Sequence, residues 1–142
     1  MILCDTGPLV AAAITTDIHH AVCEEFFSAV RMAGQTLLVP ATVVAETGYL
    51  LAAKLGWRAE ALFLESFAQG DLAPVELLEA DYERMAALVR QYADLPLGTT
   101  DASLIALAER LGVEQVATLD RRHFTVVRPQ HVEALTLLPA QL

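Results

Sequence analysis

Four carboxylates stand in places where the surrounding pattern gives a charge little reason to be. Asp5 directly follows the apolar run "MILC", and Asp120 directly follows "VATL". In "ATVVAETGYLL", Glu46 shares a helical face with Val43, Tyr49 and Leu50, at the spacings of three and four that bring side chains together. In "LGTTDASLIALAERLG", Asp101 faces inward with Leu104 and Ile105 at the first turn of a helix, with Thr99 or Thr100 expected as its cap. Taken singly, each has an ordinary role. Asp5 and Asp120 suit turns or caps, Glu46 a salt bridge or the edge of a core, and Asp101 the positive end of a helix dipole. Taken together, four carboxylates repel one another and take up protons unless a cation compensates. A hard divalent cation such as Mg²⁺ or Mn²⁺ prefers oxygen ligands, keeps several waters, and orients or deprotonates them for attack on phosphorus.

The elements that would bring these acids together are short apolar strands alternating with helices. At 142 residues the chain is expected to form a single domain spanning 1–142. Strands are expected at "MILC", "TLLVP", "LAPVEL" and "EQVATLD", with "HFTVVRP" as a last one. Between them, "PLVAAAI" reads as a short helix with Pro8 in its first turn. "TTDIHHAVCEEFFSAVRMAG" reads as a helix capped by Thr or Asp and stopped by Gly34. "ATVVAETGYLLAAKLG" and "WRAEALFLESFAQG" are helices ending at Gly56 and Gly70. "EADYERMAALVRQYAD" is amphipathic, with Tyr82, Met85, Leu88, Val89 and Tyr92 on one side. Strands separated by helices imply crossover connections and a mainly parallel sheet covered on both faces, an α/β fold. Asp5 and Asp120 then point to the same end of that sheet, where ligands of such folds bind.

The segments "MILCDTGPLVA", "VPATVVAETGYLL", "LGTTDASLIALAERLG" and "VATLDRRHF" resemble, in order and spacing, the acidic motifs of the PIN-domain family, especially VapC-type toxins of bacterial toxin-antitoxin pairs. The resemblance covers essentially the whole chain. It implies a three-layer α/β/α domain with a central parallel sheet of four or five strands, and a Mg²⁺- or Mn²⁺-dependent endoribonuclease. The family's four acids fall on Asp5, Glu46, Asp101 and Asp120. Asp5 and Asp101 are the most direct metal ligands by this likeness; Glu46 and Asp120 complete the site or hold water and a second ion. Similar proteins often carry an acid where "DRRHF" has His123. Asp94, just before the third motif, would border the site or simply end a helix. Arg121 and Arg122 would hold flanking phosphates or remain solvated loop charges. The implied mechanism is in-line hydrolysis of RNA by a metal-activated water, leaving a 5′-phosphate and a 3′-hydroxyl. The implied partner besides RNA is a cognate antitoxin that covers the acidic cleft. A non-catalytic RNA- or protein-binding module and a housekeeping RNA-maturation nuclease are the alternatives.

Composition narrows the remaining classes. The 9 Lys and Arg against 18 Asp and Glu give a formal net charge of −9, which argues against a broad basic nucleic-acid surface but not against a local metal site. A hydrophobic share of 55% suggests that some apolar surface belongs to a homodimer interface. The longest apolar stretch is broken by Pro40 and Glu46, and the start has no basic export region, so no membrane span and a cytoplasmic location are expected. Cys4 and Cys23 read as buried reduced thiols. His19, His20 and Cys23 share a helical face without completing a tetrahedral site. A single "DTG" is weak support for an aspartic protease, which needs two such loops. Gly7 stands where a phosphatase would want a second acid, and there is no glycine-rich phosphate loop.

Overall fold

Residues 1–142 are described by a computed structural model. The first strand, β1 (Ile2–Cys4), leads into helices α1 (Thr6–Ala13) and α2 (His20–Met32); β2 (Leu37–Pro40) is followed by α3 (Ala41–Leu55) and α4 (Trp57–Ala68). Then come β3 (Ala73–Val75), α5 (Glu79–Gln91), α6 (Thr99–Leu111), β4 (Gln115–Ala117), the single-turn α7 (Arg122–Val126) and β5 (Thr136–Leu138). The strands form one parallel sheet in the order β3-β2-β1-β4-β5. This is the helix-flanked parallel α/β architecture expected from the alternation, with five strands. No helix is long and apolar enough to cross a membrane.

Burial follows position in the sheet. Every residue of β1 and β2 is buried, whereas the edge strands β3 and β5 are only partly covered. From β1 the chain moves outward to β2 and β3, then crosses back to β4 on the other side of β1. Strand order therefore reverses between β1 and β4, and in open parallel sheets the crevice beyond such a reversal is where ligands bind. Asp5 leaves β1 at that point, and its N–H continues the ladder to the Ala117 carbonyl at 2.9 Å.

Helix α6 runs through the interior, with all of Ala102 through Ala108 buried. Each leucine or isoleucine there contributes about 1.5–3 kcal/mol by leaving water. Gly98, rather than Thr99 or Thr100, caps this helix, and both threonines lie within its first turn. Helix α2 starts after His19 without a side-chain cap; Asp17 instead accepts from the His19 N–H at 2.8 Å and shapes the turn before it. On α5 the buried stripe is Asp81, Met85 and Leu88, while Tyr82 and Val89 are exposed.

The segment "HFTVVRP" is not a strand. It forms α7, because Phe124 and Val127 are both buried at helical spacing and the turn begins where the Asp120 side chain faces the Arg122 N–H at 3.4 Å. The last strand is "TLL" instead. Cys4 and Cys23 are free and buried, and burial pushes the Cys4 thiol up, with Asp5 adding to the effect.

Candidate functional site

Asp5 is 8% exposed and serves as the N-cap of α1, its Oδ1 accepting the Thr6 N–H at 2.7 Å. Its Oδ2 accepts the Thr118 hydroxyl at 2.8 Å, so a residue just past β4 holds an acid just past β1. The start of α1 packs closely on the Leu119 side chain here because Gly7 has none of its own: a Cβ on Gly7 would lie 3.3 Å from the Leu119 Cβ. Burial pushes the Asp5 carboxyl up to about 6; the bonds from Thr118 and Thr6 oppose this, and repulsion from Asp101 and Glu46 adds to it.

Asp101 lies in the first turn of α6, half-buried, with Oδ2 2.5 Å from His123 Nδ1. Burial raises its carboxyl as well, opposed by His123 and reinforced by Asp120 and Glu46. Glu46 sits on the rim of α3, where its Oε2 accepts the Thr6 hydroxyl at 2.8 Å. The buried face of α3 is Val43, Thr47, Gly48 and Leu51, and Tyr49 is 73% exposed, so Glu46 does not share an apolar face with Tyr49 as its spacing suggested. Asp120 is exposed and follows β4 after Thr118 and Leu119 rather than directly.

These four acids are coupled by mutual repulsion, and no cationic side chain bonds to the Asp5 or Glu46 carboxylates. No three His, Cys, Asp or Glu side chains converge closely enough to hold one ion directly. Mg²⁺ needs only one or two carboxylates and keeps waters for its other positions. An all-oxygen set in which Asp5 is pushed up in part by Asp101 and Glu46, and Asp101 in part by Asp120 and Glu46, fits such an ion, which would relieve that repulsion.

The other expected residues divide. Asp94 is exposed in the α5–α6 connection, with no hydrogen bond or charge coupling to the four acids. Arg121 turns away: its Nη2 donates to the Pro139 carbonyl, and its buried Nε has no partner. Arg122 is exposed beside His123. The residues that spacing did not reveal are the hydroxyl partners Thr6 and Thr118 and the histidine beside Asp101. Their only trace in the sequence is adjacency to the acids in "DTG" and "ATLD" and in "DRRHF". A cavity of about 870 Å³ lies elsewhere, in an apolar groove lined by Leu9, Phe27, Val30, Leu51 and Phe63 that contains none of the four acids.

Residues 2–128 match the PIN domain family. Ribonuclease VapC26 of Mycobacterium tuberculosis (strain ATCC 25618 / H37Rv) is 33% identical over 135 residues, covering 95% of this chain and 98% of the relative. Among solved structures, Mycobacterium tuberculosis VapC20, described as a sarcin-ricin loop cleaving toxin, shares the fold with a TM-score of 0.77 at 16% identity, covering 96% of this chain and 100% of that one. With the family match spanning residues 2–128 and a relative 33% identical along nearly its whole length, the chain belongs to the PIN domain family.

Proposed function

We propose that this chain, as one domain over residues 1–142, is a Mg²⁺- or Mn²⁺-dependent endoribonuclease acting as the toxin of a type II toxin-antitoxin pair in the cytoplasm. The observation that carries the reading is a nearly buried carboxylate, Asp5, at the reversal of strand order, coupled to Asp101 and Glu46 with no basic side chain to neutralise it. The relative named ribonuclease VapC26 and the VapC20 toxin fold support the same reading.

A divalent cation bound there supplies Lewis acidity toward a phosphate oxygen and lowers the pKa of water. Asp5 and Asp101 would hold it, with Thr118 and the Thr6 N–H keeping the Asp5 carboxylate in one orientation. Glu46 and Asp120, on the rim, orient the attacking water or help to hold a second ion. Arg122 reaches a flanking phosphate from the exposed end of α7; Arg121, engaged with Pro139, does not. In-line attack on the phosphodiester then leaves a 5′-phosphate and a 3′-hydroxyl, with no histidine needed as base.

The cognate antitoxin would cover this acidic crevice and insert a basic side chain among the carboxylates. Exposed Tyr49, Trp57, Leu62 and Leu64 favour a homodimer or partner contact over a fully solvated surface.

Purified protein is incubated with a total small-RNA pool and Mg²⁺, Mn²⁺ or chelator, beside Asp101→Asn, and fragment ends are mapped. Cuts that need metal, carry a 5′-phosphate and vanish in the variant are expected. Silence from folded, antitoxin-free protein under every condition would point to a non-catalytic binding module.

A further inference from the structure

His123 sits beside Asp101 without belonging to the acidic set, and its two ring nitrogens face different partners. Nδ1 is 2.5 Å from Asp101 Oδ2, and Nε2 is 3.3 Å from Arg122 Nη2. A guanidinium has only donors, so Nε2 must accept with its lone pair. That leaves the ring proton on Nδ1, which donates to Asp101. The tautomer is thus set from the Arg122 side and read out on the Asp101 side.

The need for such a bond follows from comparing the two acids. Asp5 is held by two donors, at 2.7 and 2.8 Å on its two oxygens. The side chain of Asp101 has a single protein donor, His123, and is 21% exposed, so without it the carboxylate could rotate toward solvent. The bond engages Oδ2 and leaves Oδ1 without a protein partner.

We propose that His123 is a positioning residue for Asp101: its Nδ1–H fixes one carboxylate oxygen so that the other faces a divalent cation. This deepens the metal-dependent reading above and rests on it. Ligating carboxylates are commonly held by such outer hydrogen bonds, whose loss costs about 10–100-fold in metal affinity.

The test is calorimetric titration of Mn²⁺ alone into the full chain, with thermal melts recorded in parallel, for wild type, His123→Asn, His123→Gln and His123→Leu. The Asn amide nitrogen takes the place of Nδ1, the Gln amide lies one bond farther out, and Leu donates nothing. Leu is expected to bind Mn²⁺ about 10–100-fold more weakly, Gln to be weakened and Asn to stay near wild type. If Leu fails to melt cooperatively, the Asn and Gln comparison carries the test. Equal affinities across the folded variants, or an Asn variant as weak as Gln or Leu, would overturn the role. Wild type that binds no Mn²⁺ would instead overturn the metal reading itself, and this role with it.

Discussion

Asp5 and Asp81 are buried almost equally, at 8% and 3% exposed, yet the protein treats them in opposite ways. Asp81, in the first turn of α5, receives Arg110 Nε on both oxygens, at 2.9 and 3.0 Å, and the Leu78 N–H at 2.8 Å. Arg110 also donates to the Glu76 carbonyl, and Arg84 pairs with Glu109 across the same two helices. Here a buried charge is matched by a cation and ties α5 to α6. Asp5 receives two hydrogen-bond donors and no cation, and the charges that face it are the acids Asp101 and Glu46. Burial alone therefore does not mark a functional carboxylate. Burial with the counter-charge missing, at the reversal of strand order, does.

The contrast is broken most strongly by removing the charge from Asp101 and Asp5 on one side and from Asp81 on the other. Asp101→Asn should lower metal-dependent cleavage by more than the ~10–100-fold cost of losing an outer-shell partner, with the fold intact by circular dichroism. Asp5→Asn should raise the stability of the metal-free protein at neutral pH. An acid at about 6 in the folded state, against 3.8 as its ordinary value, binds a proton more readily when folded. Its folded form is thus relatively favoured as pH falls from 6 toward 4, and that advantage is gone above 6. The upper bound on the gain from Asn is about 3 kcal/mol, at 1.36 kcal/mol per pH unit, and the melting-temperature gap should close toward pH 4. Added Mg²⁺ should raise the melting temperature of wild type but not of this variant.

Asp81→Asn should do the reverse. It is expected to cost about 1–3 kcal/mol in denaturant unfolding, by weakening the Arg110 and Leu78 bonds, while cleavage per folded molecule stays at the wild-type level. The smallest effect separates the two neighbouring arginines. Arg122→Ala should weaken RNA binding and flatten its salt dependence by about one phosphate contact, whereas Arg121→Ala should leave the salt slope unchanged, because its guanidinium is already bonded to Pro139.

Much of this was legible because β1, β2 and the end of β4 are apolar runs with few alternatives, and because acids at or just beyond the ends of such runs stand out. The departures have specific causes. The β-branched "TVV" of "HFTVVRP" favours a strand locally, but burial of Phe124 and Val127 three residues apart imposes a helical turn. The true last strand, Thr136–Leu138, is a half-covered edge with no pattern to announce it. On α5, apolar spacing nominated Tyr82 and Val89, but the buried position is Asp81, because its partner Arg110 lies 29 residues away on another helix. The support of the site is hidden for the same reason: Thr118 reaches Asp5 across a separation of 113 residues, which only the pairing of β1 with β4 brings together.

The most direct measurement is calorimetric titration of Mg²⁺ into wild type, Asp5→Asn and Asp81→Asn at neutral pH. Binding by wild type and Asp81→Asn with loss in Asp5→Asn is the expected result. Equal binding by all three, or none by wild type, would contradict the assignment of the uncompensated carboxylates to a divalent cation.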